Sequence, residues 1–147
     1  MWGTVIFALD DVLANPKKRR CHIEKAHPDW RAYYRQDLVE EDAHVPAMVA
    51  LCKQLAENNE IVLVTDRPMT VSEVTRRWLH DHSIPFDMIL WRQSFNHEDG
   101  AAHKVQAARD LKAEGNLPWL AIECDPHIVA KYRQMGITTL CQKAPRT

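Results

Sequence analysis

Short apolar runs rich in β-branched residues alternate along this chain with longer segments in which apolar residues recur at helical spacing. This alternation is typical of strand–helix–strand units, in which parallel strands form one sheet and helices pack against its faces. The sequence therefore predicts an α/β fold around a central, mostly parallel, five-stranded sheet. The predicted strands are roughly Gly3 to Leu9, Glu60 to Thr65, Asp87 to Trp91, Trp119 to Glu123 and Thr138 to Cys141.

The segments between these strands have the period of amphipathic helices. Pro46 suits the first turn of one helix, because the N–H that proline lacks would have no helical partner there. Gly115 and Gly136 suit the positions just beyond the ends of two others. The predicted helices are Val45 to Asn58, Thr70 to His82, Ala101 to Glu114 and Pro126 to Met135.

The segment from Asn15 to Asp42, which follows the first strand, is too long for a simple strand-to-helix turn. We predict a small helical insertion beside the strand ends, where a lid could sit. Its basic run, Lys17 to Arg20, could steer a polyanion or form a solvated loop. Its aromatic residues could stack on a base or pack the insertion onto the sheet. These aromatic residues are Trp30, Tyr33 and Tyr34.

The length of 147 residues suits one domain with a single core, and we expect one domain over residues 1–147. Hydrophobic residues make up 46% of the chain and the formal net charge is -1, so the charge balance does not indicate nucleic acid or a membrane surface. The apolar runs are far shorter than the roughly 18 residues of a bilayer span, and the first residues do not resemble a signal peptide. We expect a cytoplasmic protein that does not enter a membrane.

The cysteines and histidines do not have the spacing of a metal site or a disulfide framework, and we expect reduced, mostly buried thiols. The cysteines are Cys21, Cys52, Cys124 and Cys141, without a CxxC pair, and the histidines near predicted strand ends are His97, His103 and His127.

Polar side chains follow the predicted strands at the points where the strands end. Ligands of open parallel sheets bind beyond the carboxyl ends of the strands, so we expect these side chains to lie together. Carboxylates, a hydroxyl and a lysine at one edge suit a divalent ion and a phosphoryl group, although helix caps alone also favour Asp and Thr. The residues are Asp10, Asp11, Thr65, Asp66, Arg67, Arg92, Asp99, Lys104, Glu123, Cys124 and Asp125.

An ordered series of motifs resembles the haloacid-dehalogenase (HAD) phosphatase family. The series covers nearly the whole chain and is most similar to the 3′-phosphatase domain of phage polynucleotide kinases and to their small stand-alone phage and bacterial relatives. Its first motif is Phe7-Ala8-Leu9-Asp10-Asp11-Val12-Leu13-Ala14, the second is Thr65-Asp66-Arg67-Pro68 with Thr75 to Leu79 after it, and the fourth is Ile122-Glu123-Cys124-Asp125; Phe86-Asp87, Trp91-Arg92 and Lys104 lie in order between them.

The resemblance implies a HAD-like, three-layer domain with residues 15–42 as a cap-like insertion, and a magnesium-dependent site. In this family the first aspartate of motif one attacks phosphorus, and the second donates a proton to the leaving oxygen and later activates water. The second position is Asp10, whereas the first is Ala8, which has no nucleophilic atom. The resemblance assigns phosphate contacts to Thr65, Arg67, Arg92 and Lys104, with Lys104 also bridging to aspartate. It assigns metal contacts to Asp10 and to the position of Glu123, while Asp125 lies one residue beyond an expected ligand position and could move in to contact the metal.

Further departures from the family pattern fall at the same predicted edge. Cys124 stands at the position of a magnesium ligand, and a thiol is a poor ligand for a hard cation. Asp11 and Asp66 stand where glycines normally let the backbone approach the phosphate. These changes predict weak magnesium binding at most. Cys124 could itself act as a nucleophile near a helix N-terminus, although the neighbouring carboxylates oppose its ionisation.

Two hypotheses follow from this pattern. In the first, the chain is a HAD-fold pseudoenzyme that has lost phosphatase activity and serves as a binding or regulatory protein, with an unknown protein partner. In the second, it is a magnesium-dependent phosphatase acting on 3′-phosphorylated polynucleotide ends or nucleotides, in which Ala8 was introduced artificially in place of the nucleophile or another carboxylate has taken over its role.

Overall fold

The computed structural model describes residues 2–93 and 100–143, so the predicted site residue Asp99 and His97 lie outside the described residues. The strands are β1 (Gly3–Ala8), β2 (Ala14–Asn15), β3 (Ala43–His44), β4 (Asn59–Pro68), β5 (Met88–Arg92), β6 (Leu120–Glu123) and β7 (Thr138–Cys141). The α-helices are α1 (Trp30–Tyr33), α2 (Gln36–Val39), α3 (Pro46–Ala56), α4 (Ser72–Asp81), α5 (Gly100–Ala113) and α6 (Pro126–Gln134).

The central sheet has the strand order β5-β4-β1-β6-β7, and all of its neighbouring strands run parallel. The predicted five-stranded parallel sheet is therefore confirmed. The strand β4 continues past the predicted end at Thr65 as far as Pro68, with a register shift against β5 between Val64 and Pro68. This extension adds Asp66, Arg67 and Pro68 to the strand beyond Thr65.

Helices cover both faces of the sheet, which gives the expected three layers. On one face, Phe7 and Leu63 pack in a cluster that includes Val49 of α3 and Trp78 of α4. On the other face, Ile6 packs in a cluster with residues of α5 and α6, among them Leu111 and Tyr132. Because β1 is covered on both sides, its residues from Val5 to Ala8 form a continuous apolar run without alternating polar residues.

The predicted insertion lies between β2 and β3, which pair antiparallel through Asn15 and Ala43. It contains a 3₁₀ turn at Arg20–His22 and the short helices α1 and α2. Tyr33, Tyr34 and Val39 pack against Val71 and Val74 at the start of α4, which fixes the insertion against the body of the domain. The predicted packing of these tyrosines is therefore present.

The part of the chain that the structure describes contains no helix with the length and apolar character needed to cross a bilayer.

Candidate functional site

A pocket of about 190 Å³, which we call the strand-end pocket, lies where the carboxyl ends of the central strands meet the insertion. The structure brings most of the predicted polar residues to this pocket, and aromatic side chains of the insertion form its other wall. Its lining residues are Asp10, Asp11, Ile23, Trp30, Tyr33, Tyr34, Thr65, Asp66, Lys104, Glu123, Cys124, Asp125 and Ile128.

Asp10 is held by two arginines that do not reach solvent. Its Oδ1 atom lies 2.7 Å from Arg19 Nη2 and 2.8 Å from Arg67 Nη2, while its Oδ2 atom accepts from Arg67 Nε at 3.2 Å. Both arginines also donate to Asp42 Oδ2, at 2.7 Å from Arg19 and 3.1 Å from Arg67. Two carboxylates and two guanidinium groups therefore form a closed, charge-balanced ion network, which we call the Asp10–Asp42 network; it consists of Asp10, Arg19, Asp42 and Arg67.

The arginines determine the protonation state of Asp10. Burial alone would raise the pKa of this carboxyl, but the charges of Arg67 and Arg19 and their hydrogen bonds outweigh it and hold the pKa well below its usual range. Asp10 is therefore ionised at physiological pH, and in this arrangement it has no proton to donate to a leaving group.

Arg67 and Arg92 are not among the residues that line the pocket; both are buried, and their guanidinium groups are directed to protein atoms. Besides its bonds to the carboxylates, Arg67 donates to Thr75 Oγ1 at 2.9 Å. Arg92 donates through Nε to the carbonyl oxygen of Asp66 at 3.1 Å, and its Nη2 lies 3.4 Å from Asp66 Oδ1. Thr65 Oγ1 accepts a hydrogen bond from the backbone N–H of Arg67 at 3.1 Å.

Lys104 and Glu123 form a second buried ion pair at the back of the pocket, with 3.0 Å between Nζ and Oε2. Burial opposes the charge on Lys104, but the carboxylate of Glu123 outweighs it and raises the pKa of the lysine. The other oxygen of Glu123 accepts from the backbone N–H groups of Cys124 and Asp125, at 3.0 and 3.3 Å. Glu123 therefore organises the turn between β6 and α6 as well as neutralising Lys104.

Ala8, at the position where the resemblance expects a nucleophile, ends β1 and is completely buried in a core cluster. Cys124 lies close by, with its Sγ atom 3.9 Å from the carbonyl oxygen of Asp10 and 3.6 Å from Glu123 Oε1. Burial raises the pKa of this thiol, and the charge of Glu123 raises it further. The thiolate that nucleophilic attack would require is therefore strongly disfavoured.

Asp11 and Asp66, which the resemblance places at glycine positions, line the pocket and have cationic partners. Asp11 has a φ of 68°, in the left-handed region where glycine is the least strained residue, and it pairs with Arg20. Asp66 pairs with Arg92 as described above. Asp125, in contrast, is exposed and caps α6 by accepting from the backbone N–H of His127 at 2.8 Å.

The donors gathered here do not fit a magnesium ion. No group of three or more Asp, Glu, His or Cys side chains within residues 2–93 and 100–143 converges in a way that would hold a metal. Asp10 is engaged by two guanidinium groups and Glu123 by an ammonium group, so neither presents the free carboxylate oxygens that a hard cation requires.

Arg19 and Asp42 are the site residues that sequence reasoning missed. The sequence predicts that Arg19 belongs to a basic run that steers a polyanion or is solvated. Its side chain is instead fully buried, and its guanidinium carbon lies 4.4 Å from the centre of the Tyr33 ring. In the sequence, Asp42 is only the last of three consecutive acidic residues at the end of the insertion, and no site role is predicted for it. The position of Arg19 and Asp42 in the sequence could have indicated their role, because each lies close to one end of the insertion and therefore near the strand ends.

The parallel five-stranded sheet and the helices on its faces define a HAD-like α/β fold, and comparisons with solved structures agree. A chain of the Pnkp1/Rnl/Hen1 complex superposes with a TM-score of 0.73 at 16% identity, over 99% of this chain and 48% of that one. A haloacid dehalogenase-like hydrolase from Streptococcus pneumoniae gives 0.69 at 16% identity, over 95% of this chain and 84% of that one. The class C acid phosphatase from Bacillus anthracis superposes with a TM-score of 0.70 at 12% identity, over 98% of this chain and 67% of that one.

Within this class the chain belongs to the family described as the LNS2 domain of PITM 1-3, whose model matches residues 5–140. No curated protein sequence matches the chain significantly. The chain spans about half the length of the Pnkp1 complex chain that it resembles.

Proposed function

We propose that this chain is a HAD-fold domain, descended from a phosphatase of nucleotides or polynucleotide ends, that has lost phosphatase activity and acts as a binding or regulatory domain. The observation that carries the proposal is Ala8, a buried methyl group two residues before Asp10. Losing a catalytic nucleophile costs on the order of 10⁶ in turnover in other hydrolases.

The charges around the pocket support the same conclusion. Groups that would contact phosphate in an active relative are bound to carboxylates of the protein itself, as Arg67 is to Asp10 and Lys104 is to Glu123. An incoming phosphate would have to replace these buried partners, and leaving a buried charge unpaired is costly. The pocket is therefore better suited to a retained structural or recognition role than to phosphoryl transfer.

The alternative is a working magnesium-dependent phosphatase in which an aspartate was replaced by Ala8. One comparison favours this alternative. The structure of a HAD family enzyme from Bacteroides thetaiotaomicron has been solved as an Asp-to-Ala variant in complex with magnesium and inorganic phosphate. That structure has a TM-score of 0.60 and 10% identity to this chain. On this alternative, Asp10 would be the acid–base group, and the substrate a phosphorylated nucleic-acid end or nucleotide.

Phosphatase assays on restored variants separate the two. The chain and its variants Ala8→Asp, Cys124→Asp and the double variant are incubated with magnesium and either para-nitrophenyl phosphate or a 3′-phosphorylated oligonucleotide. We expect the unchanged chain to release no phosphate above background and each variant to stay nearly inactive, because Asp10 and Lys104 keep their buried partners. Strong magnesium-dependent activity of Ala8→Asp alone would establish the alternative instead.

The identity of the partner is a separate question. The Pnkp1 complex contains the proteins Rnl and Hen1, which supports a search for protein partners of this chain as well as for phosphorylated nucleic-acid ends. Copurification from the native host, followed by repetition with purified components, is the direct measurement.

A further inference from the structure

A second cavity, of about 650 Å³, lies away from the strand-end pocket, between the edge strand β5 and helix α5. Its volume falls in the range of about 300–1,000 Å³ that is usual for ligand sites. We call it the β5–α5 groove; its lining residues are Met88, Ile89, Leu90, Trp91, Gln93, Ala102, His103, Gln106, Ala107, Asp110, Leu111 and Glu114.

The strand β5 forms one wall and is an outer strand of the central sheet. It pairs with β4 on one side, and within residues 2–93 and 100–143 no strand pairs with its other side. Such an edge presents backbone N–H and C=O groups that can pair with another extended chain. Met88, at the start of β5, is 40% exposed, so apolar surface accompanies this open edge.

Helix α5 supplies the floor and the opposite rim of the groove. Ala107 and Leu111 are buried and belong to the core cluster on this face, with Leu90 packed partly against it. Asp110 and Glu114 are exposed on the rim, next to Gln106, whose amide donates to Asp110 Oδ1 at 2.8 Å. Among the described residues, no lysine or arginine forms an ion pair with either carboxylate.

We propose that the β5–α5 groove binds an extended segment of another protein, which adds beside β5 as a further strand. Its backbone pairs with the free edge of β5, as in other cases of strand addition. Because alternate side chains of a strand point the same way, every second residue enters the groove. Apolar side chains contact Leu90 and Leu111, and a lysine or arginine pairs with Asp110 and Glu114.

The charge of the rim determines this choice of occupant. Two carboxylates beside an apolar floor favour a segment that carries both apolar and basic side chains, and they disfavour an anionic ligand such as a nucleic acid. The strand β5 has five residues, which sets the length of the segment at about five residues.

A designed peptide tests the proposal. The probe is the acetylated and amidated peptide Leu-Thr-Leu-Thr-Lys, whose two leucines and lysine lie on one side when it is extended. Titration into ¹⁵N-labelled protein is expected to shift the amide signals of β5 and of the groove side of α5, and to slow hydrogen exchange of the β5 amides. The same peptide with glutamate in place of lysine is expected to bind about ten-fold more weakly.

Charge reversal on the protein provides the matched comparison. The double variant Asp110→Lys with Glu114→Lys alters only exposed side chains, and it is expected to prefer the glutamate peptide. The control Glu40→Lys with Glu57→Lys makes the same charge change at exposed positions elsewhere and is expected to keep the original preference.

Three results would overturn the proposal: no amide shifts at millimolar lysine peptide, shifts that lie outside β5 and α5, or an unchanged preference in the charge-reversed variant. Concentration-dependent self-association through β5, seen by sedimentation, would also overturn it, because a second copy of the chain would then occupy the groove. None of these outcomes depends on phosphatase activity.

Discussion

Lys104 Nζ lies 3.0 Å from Glu123 Oε2, and both side chains are buried at the base of the strand-end pocket. Removing one partner would leave the other charge uncompensated in the interior. We expect Lys104→Met and Glu123→Gln each to lower the free energy of unfolding by about 3–5 kcal/mol. Urea denaturation measures this loss. The double variant is expected to lose less than the two single losses combined, and simple additivity would show that the pair is not coupled.

The Asp10–Asp42 network joins the insertion to the body of the domain, so its removal is also expected to destabilise the protein. Asp42→Asn leaves two buried guanidinium groups with one carboxylate, and we expect a loss of about 3 kcal/mol in the free energy of unfolding. The control is Glu41→Gln, which removes the exposed ion pair between Lys18 and Glu41. We expect no measurable change there, because exposed pairs are screened by solvent. Equal losses of unfolding free energy in Asp42→Asn and Glu41→Gln would contradict a stabilising role of the Asp10–Asp42 network.

The backbone at Asp11 gives a test of local strain. Its φ of 68° is unfavourable for any residue with a Cβ atom. Both Asp11→Ala and Asp11→Gly remove the ion pair with Arg20, but only glycine relieves the strain. We therefore expect the glycine variant to be more stable than the alanine variant by about 1 kcal/mol, measured by chemical unfolding. The opposite order would mean that the loop changes its conformation.

The four cysteines should differ in their reactivity towards a thiol reagent such as Ellman's reagent. Cys21 and Cys141 are exposed and are expected to react quickly at pH 8. Cys52 is buried, and burial raises its pKa to about 12, so it is expected to react only after unfolding. Cys124 is expected to react slowly, since burial and Glu123 raise its pKa as well. Rapid modification of Cys124 in the folded protein would indicate a more open pocket.

The sequence predicted the sheet well because each buried strand is a continuous apolar run bounded by polar residues. It also predicted that polar residues such as Asp10, Thr65 and Lys104 would lie at one pocket, since parallel strands end at the same edge. Neither inference needs the detailed direction of a side chain.

The partners of those side chains could not be predicted in the same way. Whether Arg67 contacts a ligand or a carboxylate depends on where the insertion places Arg19 and Asp42, and these residues are far from Arg67 in the sequence. The burial of Arg19 beneath Tyr33 depends on the packing of the insertion against α4. Local patterns such as a run of four basic residues do not contain that information.

The antiparallel pairing of Asn15 with Ala43 brings the two ends of the insertion side by side. In such a hairpin-like junction, one module can ordinarily be exchanged for another of different length without moving the framework. Here, however, Arg19 and Asp42 belong to the insertion, whereas their partners Asp10 and Arg67 belong to the body of the domain. A chimera with a different insertion at this junction therefore has to supply one carboxylate and one guanidinium group at equivalent places. Otherwise Asp10 and Arg67 have to be replaced as well.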